Sequence, residues 1–132
     1  MTTIVDLLSA ICAHLADFEL PAISSVHVAA LISTPQVTVQ LAGHQPSEIA
    51  RALLAWADTL TEVTAGAWRI PRGDSMHLSI TGRLLGDAVV EVYGGMPFTQ
   101  HGIGADLAAD ATTAIPMAIL RHLAILGEVN AR

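Results

Sequence analysis

The chain contains no lysine; its six basic residues are all arginine, set against twelve acids, so the net charge is −6. A phosphate backbone is bound through a basic footprint, and an anionic membrane surface attracts basic segments in the same way. Neither nucleic acid nor membrane is an expected partner. Cysteine is nearly absent. Cys12 stands alone, which excludes an intrachain disulfide and a cysteine-only zinc site, and its place among Leu8, Ile11 and Leu15 reads as a small core residue. Charged residues make up 14% of the chain, against about 25% in ordinary domains. No apolar run approaches the roughly 18 residues of a membrane-spanning helix. The first residues lack the basic region of a signal peptide, so the expected location is cytoplasmic. The six histidines show neither HxxxH nor HExxH spacing, and there is no G-x-S-x-G elbow. No metal, cofactor or catalytic residue is assigned.

What is there is apolar: 52% of the 132 residues, enough for one domain with a real core. Thr3 and Asp6 are spaced as a capping box, ahead of Ile4, Leu7, Leu8, Ile11, Leu15 and Phe18 at helical intervals; Pro21 closes that helix. Val26 and Val28, then Val37, Val39 and Leu41, alternate with His27, Thr38 and Gln40 as two strands, turned at Ser33-Thr34-Pro35-Gln36. Pro46 and Ser47 open a second helix, with Ile49, Leu53, Trp56 and Leu60 on one stripe and Glu48, Arg51 and Asp58 off it. Strands follow over 62–70, 76–83 and 88–93. The order α-β-β-α-β-β-β plus a C-terminal helix predicts a two-layer α+β fold, with an antiparallel sheet of about five strands and two helices on one face. The chain divides into an αββαβββ core over 1–95 and a loop with a helical segment over 96–132, within one domain.

Register then sorts the side chains. Met76, Leu78 and Ile80 alternate with His77, Ser79 and Thr81, while Trp68 and Ile70 flank Arg69. A three-residue Arg72-Gly73-Asp74 loop pairs Trp68 with Leu78 and Ile70 with Met76, which keeps Arg69 out of the core. A Leu85-Gly86-Asp87 loop does the same next, pairing Ile80 with Val92 and Thr81 with Glu91. RGDS is also the tetrapeptide that integrins recognise, but here it reads as turn chemistry, and no integrin partner is expected.

This register collects His27, Thr38, Gln40, Arg69, His77, Ser79, Thr81, Glu91 and Tyr93 on one polar face. The plain reading is the solvated side of an antiparallel sheet. The functional reading is a ligand or partner face using His27, Arg69, His77, Ser79, Glu91 and Tyr93, with Tyr93 as a stacking platform. His101 joins them from YGGMPFTQHGIG, residues 93–104, a glycine-rich stretch that lacks a phosphate-loop pattern and reads as a connector. After Pro116, the residues Met117, Ile119, Leu120, Leu123, Ile125 and Leu126 circle a helix that Gly127 can cap. A helix apolar all round is buried on more than one side, so Met117, Leu120 and Leu123 are candidate contacts of a homodimer.

The segments ARALLAWADTLTEVTAGAW, MHLSITGRL and VYGGMPF resemble short uncharacterised proteins of GC-rich actinobacteria. The resemblance spans most of residues 1–100 and implies no role for any residue. Twenty-two alanines beside zero lysines suit such a genome. Two functions remain open. One is a non-catalytic cytoplasmic interaction or assembly module, homo-oligomeric. The other is a small enzyme or small-molecule binder using His77, Glu91, Tyr93 and the 93–104 loop.

Overall fold

Each run of alternating apolar residues forms a strand, and each strand turns its apolar side to the same layer of helices. The computed structural model describes residues 3–30, 35–84, 88–98 and 106–130. Along the chain these form α1 (Ile4–Asp17), β1 (Ile23–Ala30), β2 (Pro35–Leu41), α2 (Pro46–Ala57), β3 (Thr61–Arg69), β4 (Ser75–Arg83), β5 (Val89–Pro97), β6 (Thr112–Ile115) and α3 (Met117–Asn130). The expected α+β class and element order are present. The sheet is mixed rather than antiparallel, and it has six strands in the order β1-β2-β5-β4-β3-β6. The β1-β2 hairpin and the β3-β4-β5 meander are each antiparallel within themselves. They join along β2 and β5, which run parallel because α2 crosses over between β2 and β3. Thr112–Ile115 adds an unexpected edge strand beside β3.

The buried residues of the covered face are all apolar. Val37, Val39, Leu78, Ile80, Val90 and Val92 are fully buried against Ile49, Leu53 and Trp56 of α2, Leu7 and Ile11 of α1, and Leu120 of α3. Ile49, Leu53 and Trp56 form the stripe expected for α2; Leu60, also buried, comes after the helix, which ends at Ala57. Thr3 and Asp6 make the expected capping box.

Helix α1 departs from its pattern. Only Leu7 and Ile11 are buried, whereas Ile4, Leu8, Phe18 and Cys12 are exposed. The helix lies over β1 and β2 at one side of the sheet, so the sheet covers one flank of its apolar stripe. It stops at Asp17, ahead of Pro21, with Phe18 already extended. Helix α3 runs through Gly127 to Asn130 instead of capping there. Its Leu120 is fully buried in the chain's own core, packed against α2. Leu120 is therefore no surface contact; Met117 and Leu123 are half-buried beside it. Among the described residues, no helix is long and apolar enough to cross a membrane.

The β3-β4 register also differs from expectation. Arg69 pairs with Met76, Trp68 with His77 and Ala67 with Leu78, so Trp68 lies on the open face and Arg69 at the end of the covered one. The expected register rested on keeping a charge out of the core. Arg69 escapes lengthwise: Nε donates to the Gly73 carbonyl at 2.9 Å, Nη1 to the Leu107 carbonyl at 2.8 Å, and the guanidinium lies 3.7 Å over the Phe98 ring. With its charge satisfied, the alanines Ala65 and Ala67 take the buried positions. The turn itself is Pro71-Arg72-Gly73-Asp74. Gly73 takes φ 81°, and its N–H donates to the Ile70 carbonyl at 2.8 Å. RGDS is thus part of a hairpin turn, one residue longer than expected. The following register is the expected one, with Ile80 opposite Val92 and Thr81 opposite Glu91; residues 85–87 lie outside the described residues.

Gly94 and Gly95 belong to β5, not to a connector. A Cβ on Gly94 would meet Ile49 Cγ1 and Cγ2 at 2.9 Å, so only glycine lets α2 settle on the strand there. Gly95 points the other way.

Candidate ligand site on the open sheet face

Period-two alternation sends Trp68, His77, Ser79, Glu91 and Tyr93 to the face that no helix covers, and cross-strand register brings them together. One row across the sheet reads Gly95, His77, Trp68, Thr112; the next reads Tyr93, Ser79, Gly66, Ala114; the third reads Glu91, Thr81, Thr64. The His77 ring stacks on Tyr93 at 4.8 Å with 24° between planes, and it meets Trp68 edge-on at 5.1 Å and 80°. A Cβ at Gly95 would stand 3.5 Å from the His77 ring, so the imidazole lies along the glycine. Trp68 Nε1 donates to Asp110 Oδ1 at 3.2 Å, which pins the indole.

Beside this aromatic wall the floor drops. Gly66 contributes no side chain, and a Cβ there would lie 3.8 Å from Ser79 Oγ. The result is a trough of about 430 Å³ bounded by Trp68, His77 and Tyr93, with Ser79 and Gly66 beneath, Glu91 at one end, and Thr112 and Thr113 of β6 along the side. Partial burial pushes the His77 pKa below its ordinary 6.5, so the imidazole is neutral at neutral pH. The wall is three uncharged π surfaces; the acid in the lining is Glu91.

Of the residues singled out from the sequence, His77, Ser79, Glu91 and Tyr93 line the trough. His27 shares the open face but sits on β1, two strands from Glu91 and on the order of 10 Å away. Arg69 is engaged on the other side of the sheet, so it is not a ligand contact here. His101 lies outside the described residues. Trp68, Gly66 and Thr112 were missed. The expected register places Trp68 in the core, Gly66 signals only by having no side chain, and β6 is too short to stand out as a pattern.

Other hollows among the described residues are built differently. One, of about 260 Å³, lies beside His14 of α1, Phe18 just past its end, and Thr59. There His14 Nε2 is 2.7 Å from Thr59 Oγ1, which itself donates to the Trp56 carbonyl, so Nε2 carries the hydrogen. Another, of about 470 Å³, is rimmed by Gly43, Glu48 and Arg51, where Glu48 accepts from the Gln45 N–H as a helix cap. The first brings two rings, His14 and Phe18 at 4.8 Å, beside Asp17 in a smaller volume; the second has no aromatic residue in its lining. Among the described residues, no group of three or more His, Cys, Asp or Glu could hold a metal ion. No protein-family model, curated protein or solved structure matches the chain.

Proposed function

We propose that the chain is a small-molecule binding module whose site is the trough on the open sheet face. The observation that carries this reading is the convergence of Trp68, His77 and Tyr93, in mutual ring contact, around a concavity floored by Ser79 and Gly66. A sheet face that is merely solvated needs neither stacked rings nor a hollow. Ligand sites combine apolar walls with a few polar groups in this way, in volumes of roughly 300–1,000 Å³. Binding without catalysis is favoured because the register keeps His77 and Glu91 apart, with the Ser79–Tyr93 pair between them. A screen of small ligands followed by amide and indole NMR tests the proposal. Hits should shift the Trp68 indole and the Gly66 and Ser79 amides together, and Trp68→Ala should abolish them. Hits that map to the helices instead would refute it.

Assembly remains a second reading, on a different observation: Val5 and Leu8 of α1 and Ile125 and Leu126 of α3 are 69%, 45%, 57% and 42% exposed. These residues, rather than Leu120, would form a homodimer contact. Light scattering on the unmodified chain and on a Val5→Asp, Ile125→Asp double variant tests it. Dimeric mass lost in the variant supports assembly, and a monomer in both excludes it.

A further inference from the structure

The trough also carries information about what it holds. We infer that its ligand is a small organic cation, whose charge is met by the Glu91 carboxylate and whose apolar shell lies against Tyr93, His77 and Trp68. The inference rests on the trough being the binding site proposed above, and it adds the chemical class.

Aromatic faces carry negative potential and attract cations, more strongly where water is excluded. Three rings here border one concavity, and its acidic lining residue supplies the counter-charge on the same strand as Tyr93. Among the described residues Glu91 makes no ion pair or hydrogen bond, so its charge is available. The basic groups nearby are engaged elsewhere. Arg69 is held by the Gly73 and Leu107 carbonyls across the sheet. Arg83, two residues past Thr81 on β4 and diagonal to Glu91, is bonded to Glu62 at 2.8 Å. His77 is kept neutral by burial, so it adds a ring without adding a positive charge. The chain as a whole is −6, which favours approach of a cation and opposes that of an anion. An anionic ligand would also face Glu91 with no basic side chain in the lining to receive it.

Size argues for a free molecule rather than a side chain on a protein partner. The hollow is bordered at one end by Trp68, itself tied to Asp110, and along one side by Thr112 and Thr113 of β6. A volume of about 430 Å³ suits a compact ligand entering from solvent.

The test titrates the folded chain with choline and propylguanidinium, then with the neutral choline isostere bearing a tert-butyl group, and with the corresponding carboxylic acid. The Trp68 indole and the Ser79 and Glu91 amides are followed by NMR. A cation should saturate these shifts with at least about tenfold tighter binding than the neutral isostere, the scale of one desolvated cation–π contact. Glu91→Gln should lower cation affinity by about tenfold, a larger loss than for the neutral isostere. Tyr93→Leu, which keeps an apolar strand residue, should also weaken the cation. Equal or tighter binding of the neutral compound or the acid at the same resonances overturns the cation inference and leaves the binding site standing. If no probe moves these resonances, the trough reading falls and takes the inference with it. Tenfold tighter binding of an acetyl-Gly-Arg-Gly-amide peptide than of free propylguanidinium overturns the assignment to a small molecule.

Discussion

The two faces of the sheet are made by the same residues taken alternately, and they solve opposite problems. On the covered face, Gly94 removes a side chain so that Ile49 of α2 can reach the strand, and valine, leucine and isoleucine fill what remains. On the open face, the next residue, Gly95, leaves room along which the His77 ring lies, and Gly66 leaves the floor of a trough empty. Omitted side chains close space on one side and keep it open on the other. A packed interior gains by filling volume, whereas a binding surface needs volume left for something else.

The sharpest way to test that contrast is a pair of neighbours on β4. Leu78 is fully buried, and Leu78→Ala should cost about 2–5 kcal/mol by chemical denaturation. Ser79→Ala, one residue on and facing the trough, should stay within about 0.5 kcal/mol. A comparable loss at Ser79 would show that the open face is structural after all.

The glycine pair gives the next effect. Gly94→Ala places a methyl group 2.9 Å from two branches of Ile49, which cannot both swing aside, and should destabilise by about 1–3 kcal/mol. Gly95→Ala meets only ordinary contacts at 3.5 and 3.6 Å from the His77 ring. It should be neutral or stabilising by up to about 1 kcal/mol, since glycine in a strand is entropically costly. Equal destabilisation by both variants would break the assignment of faces.

The smallest effect is a pH dependence shared by the two faces. Desolvation lowers the pKa of His77 on the open side and of His14 on the helix side, with Asp17 partly opposing it at His14. Each native imidazole favours the neutral form, so its stabilising contribution is intact above 6.5 and is lost as pH falls below that value towards the lowered native one. The melting temperature should fall on acidification through this range. His77→Gln should flatten part of the fall, and any cation bound in the trough should be released over the same range as His77 gains charge.

Much of the fold is legible in the sequence because local patterns have few interpretations. The capping box at Thr3 and Asp6, the stripe of Ile49, Leu53 and Trp56, and the three strands of the meander follow from periodicities of 3.6 and 2. The errors have particular causes. The β3-β4 register was judged by whether Arg69 could face inward, and only the tertiary position of Leu107, Gly73 and Phe98 shows that it can. Cys12 and Leu8 share an apolar stripe with Ile11, yet the sheet reaches only one side of that stripe. At the site, His77, Ser79, Glu91 and Tyr93 were recoverable by alternation alone. Trp68 was not, because one residue of slip sends it to the opposite face.

The sequence by itself determined which segments become helices and strands and which side of most strands is apolar, since these depend on neighbours within a few residues. It also determined the charge balance, −6 with no lysine. The parallel joining of β2 to β5, the addition of β6 and the side of the sheet on which Trp68 stands were decided only in three dimensions. Each depends on contacts between residues far apart in the chain, and their geometry is set by how helices and strands fill a common volume.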